Sequence, residues 1–407
     1  MVDGPLLHRL GWQTAGRLTG HRSGVRIIFS CVPQTGHIMP LLPLAQAFAA
    51  RGDDVTVASG PDAEAIVTSR GLAFRRVGPD FRSWFGALRA RTRGVPGAGL
   101  DPSRVEGYFA PRLFAEIGAA LMVDELLELC RESRPDLVVF ESYTFAAPLV
   151  AAVTGTRAVH HTIGPLIDPG ILDLVADAMS PIWREFRLDV PTAAGVYSGT
   201  TLTICPAALD PASHEVSGTQ PLCPVPAPLV GPPALPVEFP DPNRPLIYLT
   251  LGTFSNNDLD LFRVVLDALQ DAPVNVLATI GRDNDPAALA PIPPDAVVTR
   301  FIPQAELLPH CTAVVHHAGA GTTFGTLAHG LPALALPQSA DNFTIAGRLS
   351  AAGVARTLMP GEVTGEAIRS ALSAVLDDPT YGRSARQIAD EIAVMPSARD
   401  VSALLHS

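Results

Sequence analysis

Three short stretches of this 407-residue chain combine residue types and spacings that could do chemistry. The first begins at Cys311 and reads CTAVVHHAGAGTTFG. A short apolar run leads into His316 and His317, then into the small-residue turn Ala318-Gly319-Ala320-Gly321. Thr322 and Thr323 follow and open an apolar-periodic segment that Gly330 can close. A small-residue turn between a strand and a helix leaves backbone N–H groups free at the positive end of the helix dipole. That pairing attracts anions, phosphates above all. Gly319 and Gly321 permit close backbone approach, the two threonines offer hydroxyls, and His317 can add a ring N–H. Taken alone, the turn is better read as a strand-to-helix corner with a capping Thr, since glycine-bearing turns are common in α/β proteins.

The second stretch is Leu251-Gly252-Thr253, at the end of another apolar run. Its hydroxyl and free N–H groups make the pair of turns suited to hold a diphosphate from two sides. Neither turn carries a Walker A or a dinucleotide fingerprint, so the signal is phosphate without ATP or NAD. Between them lies RFIPQ at 300–304. Phe301 could be plain core, but beside a phosphate turn it offers a flat ring on which a base can stack. Backbone groups of Phe301, Ile302 and Pro303, with the Gln304 amide, could then read the base and ribose. The third stretch is PQTGH at 33–37, a strand-end turn carrying Gly36-His37. From its residues alone, His37 is as consistent with a structural role as with chemistry.

These residues need elements to position them, and the composition says what kind. The length favours two domains, and 47% apolar with 17% charged residues is globular. All 29 basic residues are arginine and the net charge is −11, which argues against a nucleic-acid surface. Five scattered cysteines without metal-ligand spacing read as reduced thiols of a cytoplasmic protein. No run of about 18 apolar residues suggests a membrane span. Residues 1–24 lack an apolar signal-peptide core and read as a poorly ordered leader.

From residue 25 strands and helices alternate: VRIIFSC, a helix to Gly52, DVTVAS, a short helix, and AFRRV. Residues 81–109 are read as a long irregular insertion, with Trp84 and Phe85 among its aromatic residues. A helix over 110–132, strand DLVVF at 136–140, a helix at 145–154 and strand RAVHH at 157–161 follow. Residues 164–203 read as helical and irregular. The proline-dense stretch 205–245 serves as connector. The same alternation resumes in PLIYLTLGT and runs to the C-terminus. The expected architecture is therefore α/β, with two doubly wound parallel-sheet domains: 25–204 and 246–407, the last helix packing back on the first domain. Two such domains imply a cleft, with ligands outside the carboxyl ends of the strands.

The order of a GH turn, LGT, FIPQ, HHAGAGTT and DN resembles the GT-B glycosyltransferases of family 1. Within them it is most similar to actinobacterial enzymes that glycosylate antibiotics of the enediyne and macrolide type. The likeness spans nearly the whole chain from residue 25, more strongly in the C-terminal half. It implies a donor diphosphate held by His317, Gly319, Ala320, Gly321 and Thr322, with Gly252 and Thr253 opposite, and a base stacked on Phe301. The family's acidic residue and amide that bind sugar hydroxyls fall on Asp341-Asn342. Asn in place of the usual Gln fits an altered or deoxygenated sugar. The resemblance makes His37 the general base that deprotonates the acceptor, oriented by Glu141 after strand DLVVF. Trp84, Phe85 and His161 are expected to line a hydrophobic acceptor pocket.

The function implied is inverting, metal-independent transfer of a deoxysugar from a nucleoside diphosphate, thymidine diphosphate above others, to a natural-product aglycone. No cofactor beyond the donor is expected. Asp258-Leu259-Asp260 and Asp283-Asn284-Asp285 superficially resemble the metal motif of another glycosyltransferase fold, but neither ends a strand. A nucleotide-sugar epimerase of the same fold and a non-catalytic sugar-nucleotide-binding helper are the alternatives. The partners are small molecules, not nucleic acid or membrane. A monomer and a homodimer are both compatible with the sequence.

Overall fold

Strand order explains where the site residues come from. A computed structural model describes residues 24–406 apart from 93, 98, 215, 226–233 and 253–257. Most of the expected leader, Thr253 and the middle of the proline-dense stretch thus lie outside the described residues. The chain divides into two compact units: Met1–Cys223 with Pro396–Ser407, and Pro224–Met395.

The first unit carries β1 (Arg26–Ser30), β2 (Asp54–Ser59), β3 (Ala73–Arg76), β4 (Leu137–Glu141), β5 (Arg157–His161), β6 (Thr200–Thr203) and β7 (Thr219–Pro221). They form one parallel sheet in the order β3-β2-β1-β4-β5-β6-β7. Strands β1 and β4 are near-continuous apolar runs because helices cover both faces of a parallel sheet. The sheet runs on through β6 and β7, beyond the five strands that the apolar runs of this half mark. Thr-rich TTLT and three-residue TQP carry too little apolar signal to stand out, and pairing with β5 is what makes them strands.

Residues 81–109 are not the irregular insertion expected. Phe81–Arg91 is a helix whose N-cap Asp80 accepts from the Ser83 N–H at 2.7 Å, and Val105–Phe109 is another. Phe81, Trp84 and Leu88 share its buried face at helical spacing. Ala110–Ala119 has π-helical geometry and runs into the α-helix Ala120–Ser133. The C-terminal helix Ala398–His406 packs on the Leu42–Ala50 helix of this unit. The Arg157 guanidinium anchors its end by donating to the Leu405 carbonyl at 3.1 Å.

The second unit repeats the plan. Strands β8 (Leu246–Thr250), β9 (Asn275–Thr279), β10 (Ala296–Thr299), β11 (Ala313–His316), β12 (Ala333–Ala335) and β13 (Ala355–Thr357) form a parallel sheet in the order β10-β9-β8-β11-β12-β13. Both sheets reverse direction at one point, between β1 and β4 in the first and between β8 and β11 in the second. Connections on either side of such a point diverge, which opens a crevice at the carboxyl ends of the two central strands. All the expected catalytic and phosphate-binding residues follow or end these four strands.

Candidate active site

In the first unit, the turn after β1 folds into the short helix Thr35–Ile38, which carries His37. Strand β4 lies beside β1 in parallel register, Ser30 opposite Phe140, and its last residue is Glu141. Two residues more than a hundred positions apart are thereby joined: His37 Nδ1 stands 3.1 Å from Glu141 Oε2. Glu141 is fully buried, yet its carboxylate is well served. Oε1 accepts from the Val32 N–H at 3.2 Å and the Thr144 hydroxyl at 2.6 Å, and Oε2 accepts from the Tyr143 N–H at 2.8 Å. Burial by itself would raise the carboxyl pKa. The His37 charge, with hydrogen bonds from His37, the Thr144 hydroxyl and the Tyr143 N–H, outweighs burial and lowers it. The result is a fixed negative charge aimed at one imidazole nitrogen.

The imidazole keeps 13% of its side-chain surface exposed, so one edge is open. Its faces are packed: Phe114 stacks on it with centroids 5.7 Å apart, and Tyr143 meets it edge-on at 5.6 Å. The Tyr143 hydroxyl is held by the Glu106 carboxylate at 2.7 Å. Phe114 and Tyr143 are absent from the expected site. Tyr143 was findable, two residues after Glu141, but nothing local marks Phe114.

The expected acceptor residues fare differently. Trp84 is 1% exposed and belongs to the core, its indole pressed on Gly118, where any Cβ would collide with it. It is a packing residue, a correction that follows from the helical spacing of 81, 84 and 88. His161 is also fully buried, its Nδ1 2.6 Å from the Thr162 carbonyl, and burial pushes its pKa down to about 4. That ring presents no surface to an acceptor. Phe85 is half-buried, between Phe81 and Phe109 at 5.3 and 5.9 Å.

In the second unit, β11 ends at His316, opposite Thr250 of β8, so the two following turns run side by side. The helix Ala320–Ala328 starts after N-cap Gly319, which has no side chain with which to cap it. The N–H groups of Ala320, Gly321 and Thr322 therefore have no acceptor inside the helix, and they point outward at the positive end of its dipole. Ala318 takes a left-handed conformation, φ 61°, that turns its N–H onto His316 Nδ1 at 3.0 Å. Such backbone costs on the order of 1 kcal/mol in a non-Gly residue, and such strain gathers at functional turns.

His317 sits in a slot made by two glycines. A Cβ on either Gly252 or Gly319 would run into its imidazole. The expected reason for Gly319, close approach of backbone to ligand, is thus replaced by room for the protein's own ring. At Gly321 a Cβ would meet nothing, which leaves the space there open. Burial pushes the His317 pKa down to about 4, so at neutral pH the ring is an uncharged donor.

Phe301 is 49% exposed, while Ile302 is buried in the core and Pro303 is exposed at the N-cap of the Gln304–Leu307 helix. The Gln304 amide donates to Thr322 Oγ1 at 3.1 Å, which ties the 301–304 loop to the turn after His317. Asn342 also departs from expectation. It is 6% exposed, and in the orientation that satisfies both amide atoms it donates to the Ser339 carbonyl at 3.0 Å and the His317 carbonyl at 3.3 Å. Its amide braces the His317 turn from behind, and Asp341 just before it is half-buried.

The acidic triplets are accounted for as caps. Asp258 accepts from the Leu261 N–H at 3.0 Å, and Asp285 from the Ala287 N–H at 3.2 Å. Among the described residues no three His, Cys, Asp or Glu side chains are grouped to hold a metal ion, and no helix is long and apolar enough to cross a membrane.

Two family profiles match the chain, described as the C-terminal and N-terminal domains of erythromycin biosynthesis protein CIII-like proteins, over residues 263–407 and 109–217. The 3-alpha-mycarosylerythronolide B desosaminyl transferase of Saccharopolyspora erythraea is 28% identical over 93% of this chain and 96% of its own length. The L-demethylnoviosyl transferase of Streptomyces niveus is 30% identical over 92% and 95%. Among solved structures, the Streptomyces sp. SF2575 glycosyltransferase SsfS6, complexed with thymidine diphosphate, superposes with a TM-score of 0.74. It is 26% identical and covers 94% of this chain and 99% of that one. Matches that run from end to end, on a chain whose two parallel sheets present paired histidine turns at their reversal points, lead to one assignment: the chain belongs to the GT-B glycosyltransferases of family 1 that serve antibiotic biosynthesis.

Proposed function

We propose that this glycosyltransferase moves a deoxysugar from a thymidine diphosphate donor to a hydrophobic natural-product aglycone in the cytoplasm, inverting the anomeric carbon without a metal ion. The observation that carries the catalytic half is the 3.1 Å pair of His37 with a buried carboxylate whose other contacts are all hydrogen-bond donors. Glu141 holds Nδ1 in its protonated form and leaves Nε2 as the base. The acceptor oxygen gives its proton to Nε2 as it forms a bond to the anomeric carbon. The bond from that carbon to the diphosphate oxygen breaks on the opposite side, and the electron pair leaves with the diphosphate. The leaving group is held in the second unit. There the N–H groups of Ala320, Gly321 and Thr322, the helix dipole and the neutral His317 ring stabilise the departing charge.

Thymidine diphosphate is favoured because the similar SsfS6 structure contains it and related transferases carry deoxysugar names. The aromatic surroundings of His37 suit an apolar, flat acceptor. The test is to incubate the protein with thymidine diphosphate deoxysugars and pooled aglycones, with and without EDTA, and to determine the product's anomeric configuration by NMR. Inversion unaffected by EDTA, lost in His37→Ala, is expected. Retention, dependence on a divalent ion, or isomerisation of the donor without acceptor would each replace this reading.

A further inference from the structure

Strands β9 and β10 deliver two residues to one place. Their register continues past the sheet, with the Ile280 N–H on the Thr299 carbonyl at 3.0 Å and the Gly281 N–H on the Arg300 carbonyl at 2.9 Å. Arg282 and Phe301 therefore emerge side by side. The loop behind Arg282 is itself tied down, since the Asn284 amide donates to the Ile280 carbonyl at 2.7 Å and Asp285 caps the next turn. The guanidinium carbon of Arg282 lies 3.9 Å from the centroid of the half-exposed Phe301 ring. Both line an open pocket of about 540 Å³ with Pro286, Val298, Thr299 and Arg300, a volume suited to a small ligand. Neither arginine of the pocket is within 4 Å of a carboxylate among the described residues.

Arginine is planar, weakly hydrated and stacks readily on π-faces, and it gains from a second flat partner as it does from the first. We infer that Arg282 is the outer stacking partner of the donor's base, which enters between the guanidinium and the Phe301 ring. In the free protein the guanidinium occupies the face that the base takes. Admitting one aromatic layer requires the guanidinium to rise by roughly 3.5 Å, the contact distance between stacked atoms. The flexible three-methylene stem allows that without backbone movement. The pair then grips the base from both sides, while phosphate binding stays with the His317 turn.

The inference rests on the proposed donor, so its test separates the two. Thymidine diphosphate and inorganic pyrophosphate, which lacks a base, are titrated calorimetrically into the full chain and into Arg282→Ala, Arg282→Lys and Phe301→Ala. Arg282→Ala is expected to weaken thymidine diphosphate about 10-fold and leave pyrophosphate within 2-fold, in line with stacking contributions to base binding. Lys restores the charge without the plane and is expected to recover less than half of the loss on a logarithmic scale. Phe301→Ala should resemble Arg282→Ala. Tighter thymidine diphosphate binding in Arg282→Ala would overturn the inference, making Arg282 an obstacle to the base. An equal loss for pyrophosphate would overturn it too, since the residue would then act through charge on the phosphates. An unchanged affinity has the same force. A wild-type chain that binds no nucleoside diphosphate would remove the donor reading itself.

Discussion

Replacing Glu141 with Gln keeps the shape of the His37 partner and removes only its charge. With the amide oxygen at the Oε2 position, the Tyr143 N–H and the His37 Nδ1–H can both still be accepted. The amide nitrogen then faces the Val32 N–H, previously bonded at 3.2 Å, and leaves that donor without an acceptor. The Thr144 hydroxyl can rotate to accept from it. One orphaned buried donor costs about 1–3 kcal/mol of stability. The effect on the chemistry is separate. As the acceptor's proton moves to His37, positive charge grows next to the carboxylate. At an effective dielectric constant of about 20 and charge centres roughly 4 Å apart, a full pair is worth about 4 kcal/mol. With the proton about half transferred, the transition state loses roughly 2 kcal/mol, or about 30-fold in kcat. Steady-state kinetics with saturating acceptor should show this fall with donor KM nearly unchanged, because the phosphate-binding groups belong to the other unit. Glu141→Leu, which also loses orientation, should fall further, by about 100-fold or more. A Glu141→Gln kcat within twofold of wild type, in protein that is folded at the assay temperature, would refute the orienting role. So would a loss expressed wholly in donor KM.

The glycine slot around His317 gives a second expectation. Gly319→Ala and Gly252→Ala should each expel the imidazole and weaken thymidine diphosphate by about 10-fold or more in calorimetry. Gly347→Ala, where a Cβ in the Asn342–Ala351 helix meets nothing, should leave binding alone and stabilise the fold by about 0.5–1 kcal/mol. Asn342→Ala leaves the Ser339 and His317 carbonyls without their donor, and thermal unfolding should register a loss of about 1–2 kcal/mol together with weaker diphosphate binding. Acid lability follows from four buried histidines. Burial holds His160 and His316 down to about 3, and His161 and His317 down to about 4, against an ordinary value of 6.5. The unfolded chain binds protons that the folded one refuses, so stability is intact above about 6.5 and falls as pH drops toward 4. The slope has an upper limit of about 1.4 kcal/mol per pH unit for each histidine. Urea titrations at pH 7.5, 6 and 5 should show that decline, and His316→Asn or His161→Asn should flatten it.

Much of this was legible along the chain. The apolar runs at β1, β4, β8 and β11, with turn residues between them, specify buried parallel strands wherever they end up. The small-residue turn after His317 specifies an unsatisfied helix start, because a helix that begins at Gly319 has no side chain to cap it. The stripe of Phe81, Trp84 and Leu88 was equally available and contradicts an irregular insertion, since that spacing is helical. What no local pattern carries is the consequence of pairing. The weak strands β6 and β7 exist because β5 offers them an edge. Gly319 serves an imidazole two residues away only because β8 also brings Gly252 to that ring. The sequence by itself determined the two-unit α/β plan and the uncapped helix start after His317, since both arise from hydrophobic period and backbone hydrogen bonding within a few residues. Tertiary structure decided which of those residues meet and which are buried as support. Sheet order sets Glu141 against His37 across a gap of over a hundred residues, helix packing seats Trp84 against Gly118, and hydrogen bonds tie Asn342 and Gln304 to the turn after His317. Such roles depend on which groups are left without a partner, and that is settled only when every neighbour is in place.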